Sequence, residues 1–168
     1  MRFKLPPYGG YQFEYTGKYH VLSTPTLMLD WDIPEDAHID KRCITIERRE
    51  DAHDIMFEWV KDNPNYLFRV YHTLGGVRAF VLSHDYTWST TRGLVVANHF
   101  MRYQMKCDEL YIGLQIKKGI GWGARVSPKP NREYDWVAQY VLTIGKGFAL
   151  PHHIVNTAMH DSLISAFV

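Results

Sequence analysis

The sequence predicts an α+β fold, a mainly antiparallel sheet with helices packed on it. Three observations predict it. Short runs rich in β-branched and aromatic residues end at tight-turn signals, as in Leu74-Gly75-Gly76. Two longer stretches, residues 50–61 and 90–106, repeat apolar residues at helical spacing. Between residues 43 and 126 the order reads strand, helix, two strands, helix, two strands, which mixes hairpins with helices.

The elements follow in order. Residues 11–15 and 19–22 are aromatic-rich runs split by Thr16-Gly17-Lys18, which predicts a hairpin. Residues 26–32 form an apolar strand ending in Leu29-Asp30-Trp31-Asp32. Residues 43–47 (Cys-Ile-Thr-Ile-Glu) alternate and predict an edge strand. Over 50–61, Ala52, Ile55, Met56, Trp59 and Val60 share a helical face, acidic residues crowd the first turn, and Asn63-Pro64-Asn65 stops the helix. Residues 66–73 and 77–83 are strands joined by the glycine pair. A second helix over 90–106 starts after the candidate caps Ser89, Thr90 and Thr91, with Leu94, Ala97, Met101 and Met105 in one stripe. Residues 110–116 and 122–126 read as strands around a glycine-bearing turn. Residues 135–142 and 154–167 read as helices, the latter with Ile154, Val155, Ala158, Met159 and Leu163 on one side. This order predicts an RRM-like core at about 25–130 within a single domain over 1–168, followed by a helical segment at about 133–168.

Composition narrows the function. A hydrophobic fraction of 46% excludes whole-chain disorder. The net charge of +1 provides no global basic field, so any nucleic-acid surface must come from local clustering. Cys43 and Cys107 lie far apart in no metal-ligand pattern and read as reduced thiols of a cytoplasmic protein. No apolar run reaches membrane-spanning length, so no membrane partner is expected.

The chemistry-bearing pattern begins at Asp30 and Asp32. Residues i and i+2 of a strand point to the same face, so the pair sets two carboxylates side by side. Like charges that close call for a divalent cation or a shared proton. Downstream stand Gly75-Gly76-Val77-Arg78, whose glycines permit close backbone approach and whose Arg fork suits phosphate. Then come Cys107-Asp108 after a helix, and a short basic segment with Arg125 and Lys129 among prolines. Each alone has a plain structural reading as a turn or loop. Trp31, Trp88 and Trp122 are candidate stacking surfaces for a base, though each is more readily a core residue. His152, His153 and His160 invite a zinc reading that helical spacing does not support, because seven residues separate His153 from His160.

In this order, the sites resemble the archaeo-eukaryotic primase superfamily of primases and primase-polymerases, including its small bacterial and phage primase-like group. The resemblance spans about residues 27–130. It implies that Asp30, Asp32 and Asp108 are catalytic and hold Mg²⁺ or Mn²⁺. It implies that Gly75, Gly76 and Arg78 bind a nucleoside triphosphate, with His84 the alternative for a family histidine that Arg78 replaces. Lys117, Lys118, Arg125 and Lys129 would then follow a single-stranded template. The implied activity is metal-dependent nucleotidyl transfer by a two-metal mechanism. The alternatives are a nucleotide- or nucleic-acid-binding module that has lost catalysis, or a small inhibitor or interaction protein with a protein partner.

Overall fold

The structure, a computed structural model, describes residues 11–33, 46–128 and 136–166. Residues 43–45 of the strand expected at 43–47, and Lys129, lie outside the described residues; Ile46 and Glu47 are described and are not in a strand. The described chain runs β1 (Gln12–Tyr15), β2 (His20–Thr24), β3 (Met28–Asp32), α1 (Arg49–Asp62), β4 (Leu67–Thr73), β5 (Gly76–Val81), α2 (Thr91–His99), α3 (Glu109–Lys118), β6 (Trp122–Arg125), β7 (Ala138–Gly145) and α4 (Pro151–Ala166). One π-helical turn, Phe100–Gln104, prolongs α2. The result is a mixed α+β fold with two antiparallel sheets and four packed helices among the described residues.

Local chemistry explains the element ends. Asp51 in the first turn of α1 accepts from the backbone N–H of Arg48 at 2.9 Å and of Glu47 at 3.1 Å. The Thr90 hydroxyl caps α2 by accepting from Gly93 N–H at 3.0 Å. Pro151 opens α4, where a missing N–H costs nothing.

Two expectations need correction. Residues 110–116 are not a strand but lie in α3. The Asp108 carboxylate caps this helix by accepting from Leu110 and Tyr111 N–H, and Gly119, at φ +63°, ends it in the left-handed region. Residues 135–142 are not a helix: where described, they run into β7, whose Tyr140-Val141-Leu142-Thr143-Ile144 run suits a pleated surface. The pairing of β7 with β4 along the full length of β4, across one bulge at Val70/Tyr71, settles the choice.

The smaller sheet has the order β1-β2-β6 and the larger β3-β5-β4-β7. Register makes the larger sheet two-faced. Opposite residues of antiparallel neighbours share a face. Leu29, Trp31, Val77, Ala79, Val81, Phe68 and Val70 therefore form an apolar face, which α1 and the end of α2 cover. The other face carries Asp30, Asp32, Arg78, Arg69 and Tyr71 beside Met28 and Phe80.

Helix α4 covers part of that polar face, and its buried stripe differs from the one expected: of the expected residues only Met159 and Leu163 pack, partly buried, against the core. Its buried residues are His153, Asn156, Thr157, His160 and Ile164. Ile154 and Val155 are at least half exposed. The physical reason is complementarity: a face bearing Arg69, Tyr71 and Arg78 needs acceptors. His160 and Asp161 supply them, with the His160 ring also seated edge-on against Tyr71 and Phe80.

Candidate metal and phosphate groove

Two chain segments 78 positions apart are joined main chain to main chain. The Asp108 N–H donates to the Asp30 carbonyl at 2.8 Å, and the Cys107 N–H to the Met101 carbonyl at 2.8 Å. Between them and the π-helical turn stands Lys106 at φ +54°, a left-handed conformation that costs a lysine about 1 kcal/mol. The bend turns the chain from the apolar side of the sheet toward Asp30. The indole N–H of Trp31 donates to the Met105 carbonyl at 2.8 Å and fixes the same junction from the core side.

The side chains of Asp30, Asp32 and Asp108 consequently converge, with ligand oxygens all within 4.8 Å of one another. Asp108 is buried, the other two half-buried. Burial pushes the Asp108 carboxyl up, while N–H donors at the start of α3 and a hydrogen bond with Asp32 pull it back. A carboxylate has lone pairs enough to cap a helix and still face a cation.

The trio lines a groove of about 340 Å³ that also holds Gly75, Arg78, Tyr111, Lys118 and Arg125. Arg78 is directly opposite Asp30 in the β3–β5 register and is buried. Its Nη1 donates to the Arg125 carbonyl and to His160 Nε2, both at 2.9 Å. His160 Nδ1 in turn donates to Asp161 at 3.1 Å, which assigns the tautomer. Burial takes the His160 pKa down to about 4, so the ring accepts from the guanidinium as a neutral base. Asp161 also accepts from Arg69 at 2.9 Å and from Tyr71. Burial disfavours the Asp161 charge, yet the His160 and Tyr71 hydrogen bonds and the Arg69 charge hold its carboxyl below the usual range. Two buried donors on the groove wall have no protein partner, Arg78 Nε and the Tyr111 hydroxyl. Buried donors are rarely left so, and two on the wall of one groove fit an oxygen-rich ligand.

The glycine turn is built for proximity. A Cβ on Gly76 would meet the Trp31 carbonyl oxygen at 1.8 Å, so only glycine lets β5 lie this close to β3. From α1, Arg49 binds the carbonyls of Thr73, Leu74 and Gly76 and fixes the turn.

The sequence-derived residues divide accordingly. Asp30, Asp32, Asp108, Gly75, Arg78, Lys118 and Arg125 line the groove. Gly76 shapes it through the backbone. Lys117 is exposed at the end of α3 and does not line it. His84 is elsewhere: it stacks on Tyr66 at 3.9 Å between ring centres, and Ser83 Oγ lies 2.8 Å from its Nδ1. Trp31 and Trp122 are 0% and 1% exposed, their indole N–H groups bonded to the Met105 and Tyr86 carbonyls. Freeing either from the core costs about 4–6 kcal/mol, more than the ~1–3 kcal/mol a stacked base returns, so neither is a stacking platform. Trp88 is half-buried against the core. Missed in the sequence were Tyr111 and the roles of His160, weighed there only as a zinc ligand, and of Asp161. The last two lie 82 and 83 positions beyond Arg78, with no local pattern tying them to it.

Comparison of the chain with protein-family profiles, characterised proteins and solved structures gives no match.

Proposed function

We propose that this chain is a metal-dependent nucleotidyltransferase of the primase and primase-polymerase kind, using nucleoside triphosphates and a single-stranded template. The observation that carries the reading is the meeting of three carboxylates with the buried Arg78 and Tyr111 in one groove. The donor set fits the implied metal: three carboxylates and no sulfur or imidazole favour Mg²⁺ or Mn²⁺. Two such ions, bound together, would stabilise the attacking hydroxyl and the leaving pyrophosphate. In this reading Asp30, Asp32 and Asp108 hold the ions, with the N–H donors at the α3 N-terminus partly offsetting the burial that raises the Asp108 pKa. Arg78 turns its unpartnered Nε–H and its charge to phosphate oxygens, with His160 fixing its plane. Lys118 and Arg125 draw the polyanionic strand. The fold supports the same reading. β3, α1, β4 and β5 give a sheet order β3-β5-β4, as in a split βαβ unit of the RRM type, although the closing strand β7 joins beside β4.

The test is extension of a single-stranded template by labelled nucleoside triphosphates with Mn²⁺. Template-dependent extension or dinucleotide synthesis is expected, with Asp32→Asn reducing it at least ~100-fold. Absence of any product, together with no metal-dependent rise in melting temperature, overturns the proposal. Arg78, standing where the family carries histidine, favours a second reading: a binding module on the same groove without catalysis. That reading expects salt-sensitive single-strand binding that persists in EDTA.

A further inference from the structure

A second convergence of ligand atoms lies outside the groove and shares no residue with it. Asp85 follows β5, and His152 and His153 stand in the first turn of α4. Their ligand atoms all lie within 4.8 Å of one another. Asp85 Oδ1 is 2.6 Å from His152 Nε2 and 2.9 Å from His153 Nε2. Two imidazole nitrogens thus face one carboxylate oxygen, an arrangement in which a cation shared by all three atoms can take the place of the ring N–H protons.

We propose that Asp85, His152 and His153 form a binding site for a Zn²⁺-class transition-metal ion. Two nitrogens and one oxygen from three side chains make the donor set of a zinc site with one position left for water or a ligand. Bonds of 2.0–2.1 Å at tetrahedral angles put neighbouring ligand atoms about 3.3 Å apart, so Asp85 Oδ1 needs to draw back from each imidazole nitrogen by only about half an ångström on binding. Zn²⁺ takes the place of the His153 Nε2 proton, now directed at Asp85 and at the His84 carbonyl 3.0 Å away.

The surroundings favour this. His153 is buried, and its Nδ1 lies 2.6 Å from the Thr26 hydroxyl, which is held by Asn156 Nδ2 at 2.9 Å. A hydroxyl can donate or accept, so Thr26 orients the ring in either tautomer, as outer hydrogen-bond partners of metal-bound histidines do. Asp85, more exposed than either histidine, also lines an open groove of about 280 Å³ with Thr90 and Arg92, giving an entry path. The all-oxygen trio at Asp30 is harder in character, so the two sites select different ions.

The test is equilibrium dialysis of the full chain against Zn²⁺, with excess Mg²⁺ present, and visible absorption of the Co²⁺ form. Stoichiometric Zn²⁺ retention and an intense Co²⁺ d–d band are expected. His152→Ala and Asp85→Asn, both at sites with some exposure, should each weaken binding at least ~10-fold, and Thr26→Val about 10-fold. Asp32→Asn should leave Zn²⁺ retention unchanged while losing any response to Mn²⁺, so failure here and failure of the nucleotidyltransferase reading are separable. Melting curves show whether each variant is folded. Weak, non-stoichiometric Zn²⁺ uptake overturns the proposal, as does uptake that survives both Asp85→Asn and His152→Ala, or uptake abolished by Asp32→Asn.

Discussion

Asp108→Asn separates the structural from the metal-binding role of the groove. Asparagine caps a helix about as well as aspartate, so α3 keeps its Leu110 and Tyr111 hydrogen bonds. What changes is charge. Two ionised carboxylates with oxygens at the 4.8 Å outer limit of the trio would repel by about 3 kcal/mol at an effective dielectric constant of 20. The hydrogen bond between Asp32 and Asp108, and Arg78 opposite Asp30, offset part of this repulsion in the metal-free protein. The metal-free variant should therefore melt at or above the wild-type temperature. With Mn²⁺ at about one hundred times its dissociation constant, the wild type gains about 2.7 kcal/mol. In a chain of 168 residues that is a rise of about 5–10 °C. The variant should show almost none of it. Differential scanning fluorimetry with and without Mn²⁺ measures both arms. A metal-free variant less stable by more than about 1 kcal/mol would mean that the Asp108 charge is part of a structural ion pair. An undiminished Mn²⁺ shift would place the cation elsewhere. Either result refutes the reasoning.

Three further outcomes follow from the same geometry. Asp161→Ala removes the acceptor shared by Arg69, Tyr71 and His160 and should cost about 2–4 kcal/mol in urea unfolding, while Asp161→Asn costs less; equal, negligible losses would show that the network holds nothing together. His153 and His160 are neutral in the fold with pKa values of about 4 and titrate near 6.5 when unfolded, so the unfolded chain binds more protons between these limits. Stability is then full above pH 6.5 and falls as pH drops toward 4, by about 3 kcal/mol for the fully buried His160, and a flat urea midpoint across that window would contradict the burial. Gly76→Ala forces β3 and β5 apart and should cost about 3 kcal/mol, whereas Gly75→Ala meets only Asp32 Oδ1 at 3.8 Å and should stay within about 1 kcal/mol by thermal melting.

How much of this was legible varies with the range of the interaction. The Asp30/Asp32 face follows from a period of two and needs no tertiary information. The α1 and α2 stripes follow from a period of 3.6, and Met56, Ala97, Met101 and Met105 are buried as that period requires. Residues 110–116 misled because Leu110, Ile112, Leu114 and Ile116 alternate as in a strand, yet Asp108 before them and Lys117-Lys118-Gly119 after them are helix start and stop signals. Three of those four alternating residues are in fact exposed. The turn of α4 was illegible for a different reason. Its apolar residues name one face as the core, and only the polar sheet face built by Arg69, Tyr71 and Arg78 makes the histidine stripe the buried one. The pairing of Arg78 with His160 depends on that distant packing, and no local rule contains it.

The bond from the Asp108 amide to the Asp30 carbonyl has a use beyond architecture. One proton is trapped where two remote parts of the polymer touch, and deuterium from solvent can replace it only when they part. Its lifetime in heavy water is thus a clock for how often the acid trio comes undone. The clock should run slower once manganese or magnesium is supplied.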